Sequence, residues 1–126
     1  MSYLAERVSV PSVNISSLQN ARVKELVKLS KRRDRDARRV TIVEGTREIG
    51  HAIAAGVVPV EVYVCPEAVT EPASQALLAH CTRLAQQRLT TIVTVTPAVF
   101  AKIAYREDSG GLLLVIPYVA RDLAQM

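Results

Sequence analysis

Four short runs of apolar and β-branched residues recur along the chain: Val40–Val43 (VTIV), Val60–Val64 (VEVYV), Leu89–Val95 (LTTIVTV) and Leu112–Ile116 (LLLVI). Most are continuously apolar rather than alternating, which predicts strands buried on both faces. Between them the period changes to that of a helix. Val23, Leu26, Val27 and Ser30 share one face of a helix whose preferred cap is Asn20, with Ser16 and Gln19 as the alternative start. A second helix is predicted from Arg47 to Ala55, capped by Thr46 and ended by Gly56. A third runs from Pro72 and Ser74 to about Arg88, with Ala76, Leu77, Ala79, His80, Leu84 and Ala85 as its mostly apolar positions. A fourth, short helix follows the Thr96-Pro97 cap.

Strands alternating with helices predict a three-layer α/β/α sandwich around a mainly parallel, four-stranded sheet. Residues 1–15 show no clear period and are expected to form an N-terminal arm. Residues 16–117 form the domain, and residues 118–126 a short helix or the start of a linker. A chain of 126 residues is most simply one domain with one core. Aromatic residues make up only 4%, so that core must be aliphatic. No stretch approaches 18 apolar residues and the N-terminus lacks a signal pattern, so a cytoplasmic protein is expected. Cys65 and Cys81 lack CxxC spacing and are expected to be free thiols in or near the core.

Charge changes the picture more than composition does. Nine of the 16 Lys and Arg residues fall between Arg22 and Arg39, opposed there only by Glu25, Asp34 and Asp36. A net charge of +4 is weak evidence of an anionic partner, but its concentration in one segment is stronger evidence. The run KRRDRDARR places basic residues on several sides, and Arg forks match phosphate oxygens in pairs. Sequence-blind phosphate contact is the simplest use of such a surface, against the plainer reading of a solvated helix face. Four or five such contacts to single-stranded or looped RNA predict a log–log salt slope of roughly −3.

Other chemistries find little support. The chain has no GxGxxG, GxxxxGK[ST] or GxSxG motif. His51 and His80 fall within predicted helices without metal-ligand spacing, and read as buried or edge residues. The pairs Glu44/Glu48 and Glu107/Asp108 read as a cap and a solvated loop rather than as a general acid and base. The four Tyr and one Phe do not interleave with the basic run, which argues against a base-stacking platform.

The stretch ISSLQNARVKELVKLSKRRDRDARRVTIVEGTREI, from Ile15 to Ile49, resembles the start of the SpoU (TrmH-like) RNA ribose 2′-O-methyltransferases. That family opens with a Ser..Asn-Pro..Val-Lys..Leu..Leu pattern, basic residues and a Phe-x-Val-Glu-Gly strand and corner. FAKIAYREDSGGLLLVIP, from Phe100 to Pro117, is similar to the stretch before the family's last strand. Ala21 stands where the family has proline, and Thr41 where it has Phe.

The resemblance implies a fold like that of the ribosomal kink-turn-binding proteins. It implies a substrate-binding domain that grips RNA, rRNA in preference to tRNA and neither DNA nor a membrane. A separate trefoil-knot domain would bind S-adenosylmethionine, dimerise and carry out the methyl transfer. None of the knot's motifs lies in these 126 residues, so no catalytic residue, metal or cofactor is expected in this chain.

Carried onto this sequence, the candidate RNA contacts are Arg22, Lys24, Lys28, Lys31, Arg32, Arg33, Arg35 and Arg47, with Arg22, Lys24, Arg32, Arg35 and Arg47 best supported by the family pattern. Glu44 and Gly45 are expected to form a structural corner, and Tyr105-Arg106-Glu107 to lie beside the basic helix. Two other readings are a stand-alone kink-turn-type RNA-binding protein and a protein-interaction module without RNA affinity.

Overall fold

The computed structural model describes residues 12–105 and 109–118. Its elements in order are β1 (Ser12–Ile15), α1 (Ala21–Lys28), α2 (Arg32–Arg38), β2 (Val40–Glu44), α3 (Thr46–Ala54), β3 (Glu61–Val64), a 3₁₀ turn (Pro66–Ala68), α4 (Pro72–Gln86), β4 (Thr91–Val95), α5 (Pro97–Ile103) and β5 (Leu112–Pro117). The sheet runs β1-β4-β3-β5-β2. β1 pairs with β4 and β4 with β3 in parallel, whereas β5 is antiparallel to both β3 and β2. Four strands therefore point one way and β5 alone points back, which makes the sheet mixed and "mainly parallel" only an approximation.

The helices lie in two layers. Val23, Leu26 and Leu29 near α1 pack with Val99, Phe100 and Ile103 of α5 on one face, over Tyr63, Val93, Val95, Leu113 and Val115. Ile49 and Ala52 of α3 join Cys81 and Ala85 of α4 on the other face, over Val62, Val64, Ile92, Leu112, Leu114 and Ile116. Alternate residues of β5 thus feed both cores, and Leu112 through Ile116 are all at most 1% exposed. The expected three-layer aliphatic sandwich is present, and both cysteines are free and buried within it.

Several boundaries differ from expectation. The sheet has five strands rather than four, because Ser12–Ile15 of the expected arm forms β1. Val13 and Ile15 of that strand face the core that contains Val95. The arm up to Pro11, Arg106–Asp108 and residues 119–126 lie outside the described residues. The basic segment is two helices, not one. α1 ends at Lys28, and Leu29, not Ser30, continues the buried seam. Asn20 caps α1, its Oδ1 accepting from the Arg22 N–H at 2.8 Å. Thr96 caps α5 in the same way, through the Val99 N–H at 3.3 Å. Thr46 does not cap α3: Gly45 occupies that position with φ +101°, and the Thr46 hydroxyl meets Ser74 Oγ at 3.3 Å. On α4, Ala76 and Ala79 are exposed while Ser74, Cys81 and Ala85 are buried. His51 is exposed and His80 half-buried.

Candidate nucleic-acid interface

The basic residues divide by what already holds them. Lys24 and Lys28 lie on the exposed side of α1, with Lys28 Nζ 3.3 Å from Glu25. Lys31, Arg32 and Arg33 are exposed around the start of α2, where Arg32 Nε is 3.7 Å from Asp36. Pairs between side chains this exposed are worth little and yield readily to phosphate. These five residues are exposed and held by no buried partner, and Arg38 and Arg39 at the end of α2 are exposed too.

Arg22 and Arg35 are engaged elsewhere. The guanidinium of Arg22 is ion-paired with Glu61 at the start of β3, and Glu61 Oε1 also accepts from the Tyr63 hydroxyl at 3.0 Å. Burial, then the charge of Glu61, pushes the Tyr63 phenol well above its ordinary range. A recess of about 280 Å³ opens here, with Arg22, Glu25, Arg38 and Tyr63 among its walls. Arg35 folds back onto the end of α1, donating from Nη1 to the carbonyls of Leu29 (2.9 Å) and Ser30 (3.0 Å). Those carbonyls have no partner further along α1, so Arg35 acts as a side-chain cap.

Arg47 is exposed but stands apart. α2 leads into the first residue of β2, whereas Arg47 follows its last, and α3 packs on the opposite face of the sheet from α1. The Tyr105 backbone also lies at the Glu44 end of β2, its N–H bound to Glu44 Oε1 at 2.9 Å, whereas Arg106 and Glu107, expected with it beside the basic helix, lie outside the described residues. Glu44 and Gly45 thus form the corner, with Glu44 bracing the loop after α5. Arg38 was not among the candidate contacts. Its signal was available in the run ARR, but only the fold shows that it shares the recess with Arg22.

At the carboxyl ends of the parallel strands a larger cavity of about 700 Å³ is bordered by Thr46, Cys65, Phe100, Tyr105 and Gly111. Burial, then the nearby Glu67, raises the Cys65 thiol above its ordinary range. Among the described residues no group of His, Cys, Asp and Glu is placed to hold a metal ion, and no helix is long and apolar enough to cross a membrane.

The three-layer sandwich with one reversed strand is an α/β fold similar to that of SpoU methyltransferase N-terminal domains. The family model for the MRM3-like substrate binding domain matches residues 20–114, and the chain belongs to that family. A solved structure described as an RNA 2′-O ribose methyltransferase is 31% identical, with a TM-score of 0.68 over 84% of this chain and 38% of its own. An rRNA methyltransferase from Sinorhizobium meliloti is 19% identical, with a TM-score of 0.65 over 85% of this chain and 37% of its own. The SpoU methyltransferase AviRb from Streptomyces viridochromogenes, solved in complex with AdoMet, is 17% identical, with a TM-score of 0.61 over 79% of this chain and 36% of its own. The chain therefore spans little more than a third of the solved proteins it resembles. No curated protein matches it.

Proposed function

We propose that this chain is the RNA-gripping domain of a cytoplasmic ribose 2′-O-methyltransferase acting on rRNA. Its part is to hold structured RNA through sequence-blind phosphate contacts while a separate, dimeric unit binds S-adenosylmethionine and transfers the methyl group. The observation that carries this reading is the surface formed by Lys24, Lys28, Lys31, Arg32 and Arg33. All five are exposed, and none is tied to a buried partner. Membership of a substrate-binding-domain family supports it.

The double glycine Gly110-Gly111 does not form a cradle for the methyl donor. A Cβ at Gly110 would fall 2.6 Å from Thr46 Oγ1, and one at Gly111 would fall 3.0 Å from the Cys65 carbonyl oxygen. This double glycine is packed by the chain's own atoms rather than opened as a cradle for a ligand. No step of the methyl transfer is assigned to these residues.

The test is binding of a structured rRNA fragment across a salt series, for the 126-residue chain and for a Lys31→Glu, Arg32→Glu, Arg33→Glu variant. Arg35 is spared because it caps α1. With three or four phosphates contacted, the expected log–log slope is roughly −2 to −3, and the variant should lose at least about ten-fold in affinity. Equal binding by both proteins would refute the grip.

A further inference from the structure

Helix α2 has no hydrophobic support. None of its residues is buried, and six of the seven are charged. A helix this short does not persist alone in water. Its first cap, Lys31, makes no side-chain capping bond, and its last, Arg39, takes the left-handed conformation at φ 58°. That conformation is unfavourable for a residue with a Cβ. α2 must therefore be held by polar tethers, and the structure shows them on two sides.

On one side is the Arg35 bond to the end of α1. On the other is Tyr118, the first residue past β5. Its backbone N–H donates to the Arg39 carbonyl at 3.1 Å, and its hydroxyl donates to Asp36 Oδ1 at 2.6 Å. The second Asp36 oxygen is the one that faces Arg32. A 2.6 Å O–H···O contact to a carboxylate belongs to the strong, charge-assisted class. Asp36 is also electrostatically out of place, since a carboxylate on a phosphate-facing helix opposes the partner's charge.

We propose that the Tyr118–Asp36 contact is a positioning latch. It fixes the cationic helix against the sheet, and so couples the RNA grip to the segment that leaves the sheet after β5. This rests on the RNA-gripping reading above. Asp36 and Tyr118 touch no RNA in this account; they act through Arg32, Arg33 and the rest of α2.

The latch and simple electrostatics predict opposite signs for Asp36→Ala. That change makes the segment one charge more positive, and charge alone would tighten RNA binding. If the latch operates, Asp36→Ala and Tyr118→Phe both weaken binding to a structured rRNA fragment by roughly three-fold, the scale of one solvent-exposed hydrogen bond to a charged group. Both also speed hydrogen exchange at the Arg35 to Arg39 amides by a similar factor. Asp36→Asn keeps an acceptor oxygen and should retain the protection. The core is untouched, so the thermal midpoint should stay within about 2 °C in all three. Unchanged α2 exchange, or tighter RNA binding by Asp36→Ala, overturns the latch. If the unaltered chain binds no RNA, the grip reading fails, and the exchange rates alone then decide the latch.

Discussion

Glu44 and Tyr105 are 61 residues apart in sequence, yet the Tyr105 N–H donates to Glu44 Oε1 at 2.9 Å. The bond ties the end of β2 to the loop after α5, and Glu44 is 7% exposed. Glu44→Ala would remove the acceptor of this part-buried bond, and because Tyr105 itself is exposed and its N–H can turn to water, the cost should be about 1 kcal/mol. Glu44→Gln keeps an acceptor and should cost less than half as much. Urea unfolding midpoints of the two variants would check this; equal midpoints would remove Glu44 from the corner's support.

The half-buried network of Arg22, Glu61 and Tyr63 makes a second prediction. Removing Arg22 strands a carboxylate with 18% of its side chain exposed. The side chain of Arg22 itself is 37% exposed, so solvent screens the loss and about 1 kcal/mol is expected for Arg22→Ala. An Arg22→Ala, Glu61→Gln double-mutant cycle should show a coupling of similar size. Strict additivity would mean that Arg22 is free for RNA.

Two glycines separate conformation from space. Gly56 (φ +85°) has nothing within 4 Å of where a Cβ would lie, so Gly56→Ala pays only the left-handed backbone cost of about 1–2 kcal/mol. Gly111 (φ +81°) has Val69 Cγ2 at 2.9 Å and two backbone atoms at 3.0 Å. Gly111→Ala adds overpacking to the same cost and should lose roughly 2–5 kcal/mol. Similar losses for the two variants in thermal unfolding would contradict this packing.

Cys81 should be one of the groups that set the pH dependence on the alkaline side, beside Cys65 and Tyr63, whose acidities are also weakened by burial. Burial pushes its thiol from 9.0 up to about 11. The folded state therefore holds the proton where the unfolded chain releases it. Stability contributed by the neutral thiol is full below about pH 9 and is lost as pH rises towards about 11. Cys81→Ala should flatten the stability profile in that window, and native Cys81 should resist alkylation at pH 8. A profile unchanged by the substitution would assign the alkaline loss to other groups.

The parts legible from sequence were those decided locally. Asn20 and Thr96 cap because a short polar side chain precedes a helical period, and VTIV and LLLVI could satisfy only a buried strand. The parts missed were decided at a distance. SVNI is four residues long, too short for its alternation to be distinguished from an arm. The reversal of β5 left no mark, because a central strand buried on both faces reads alike in either direction. The family pattern included Arg22 and Arg35 as well as Arg32, but only the fold shows that Glu61 and the carbonyls of Leu29 and Ser30 just past α1 already occupy the first two. Arg47 belonged to the same pattern, and the length of β2 removes it from the cationic surface.

The reversed strand also sets a distance. β5 has six residues, so a chain leaving it parallel to its neighbours would emerge roughly 20 Å away, at the Glu44 end of the sheet. Running back instead, it emerges at Tyr118 against Asp36 and Arg39. Whatever continues past residue 118 begins its reach from the cationic end with almost no stand-off. Effective concentration falls steeply as a tether must span more space. If α2 holds phosphates as proposed, the direction of one strand decides how concentrated a group tethered there would be around them.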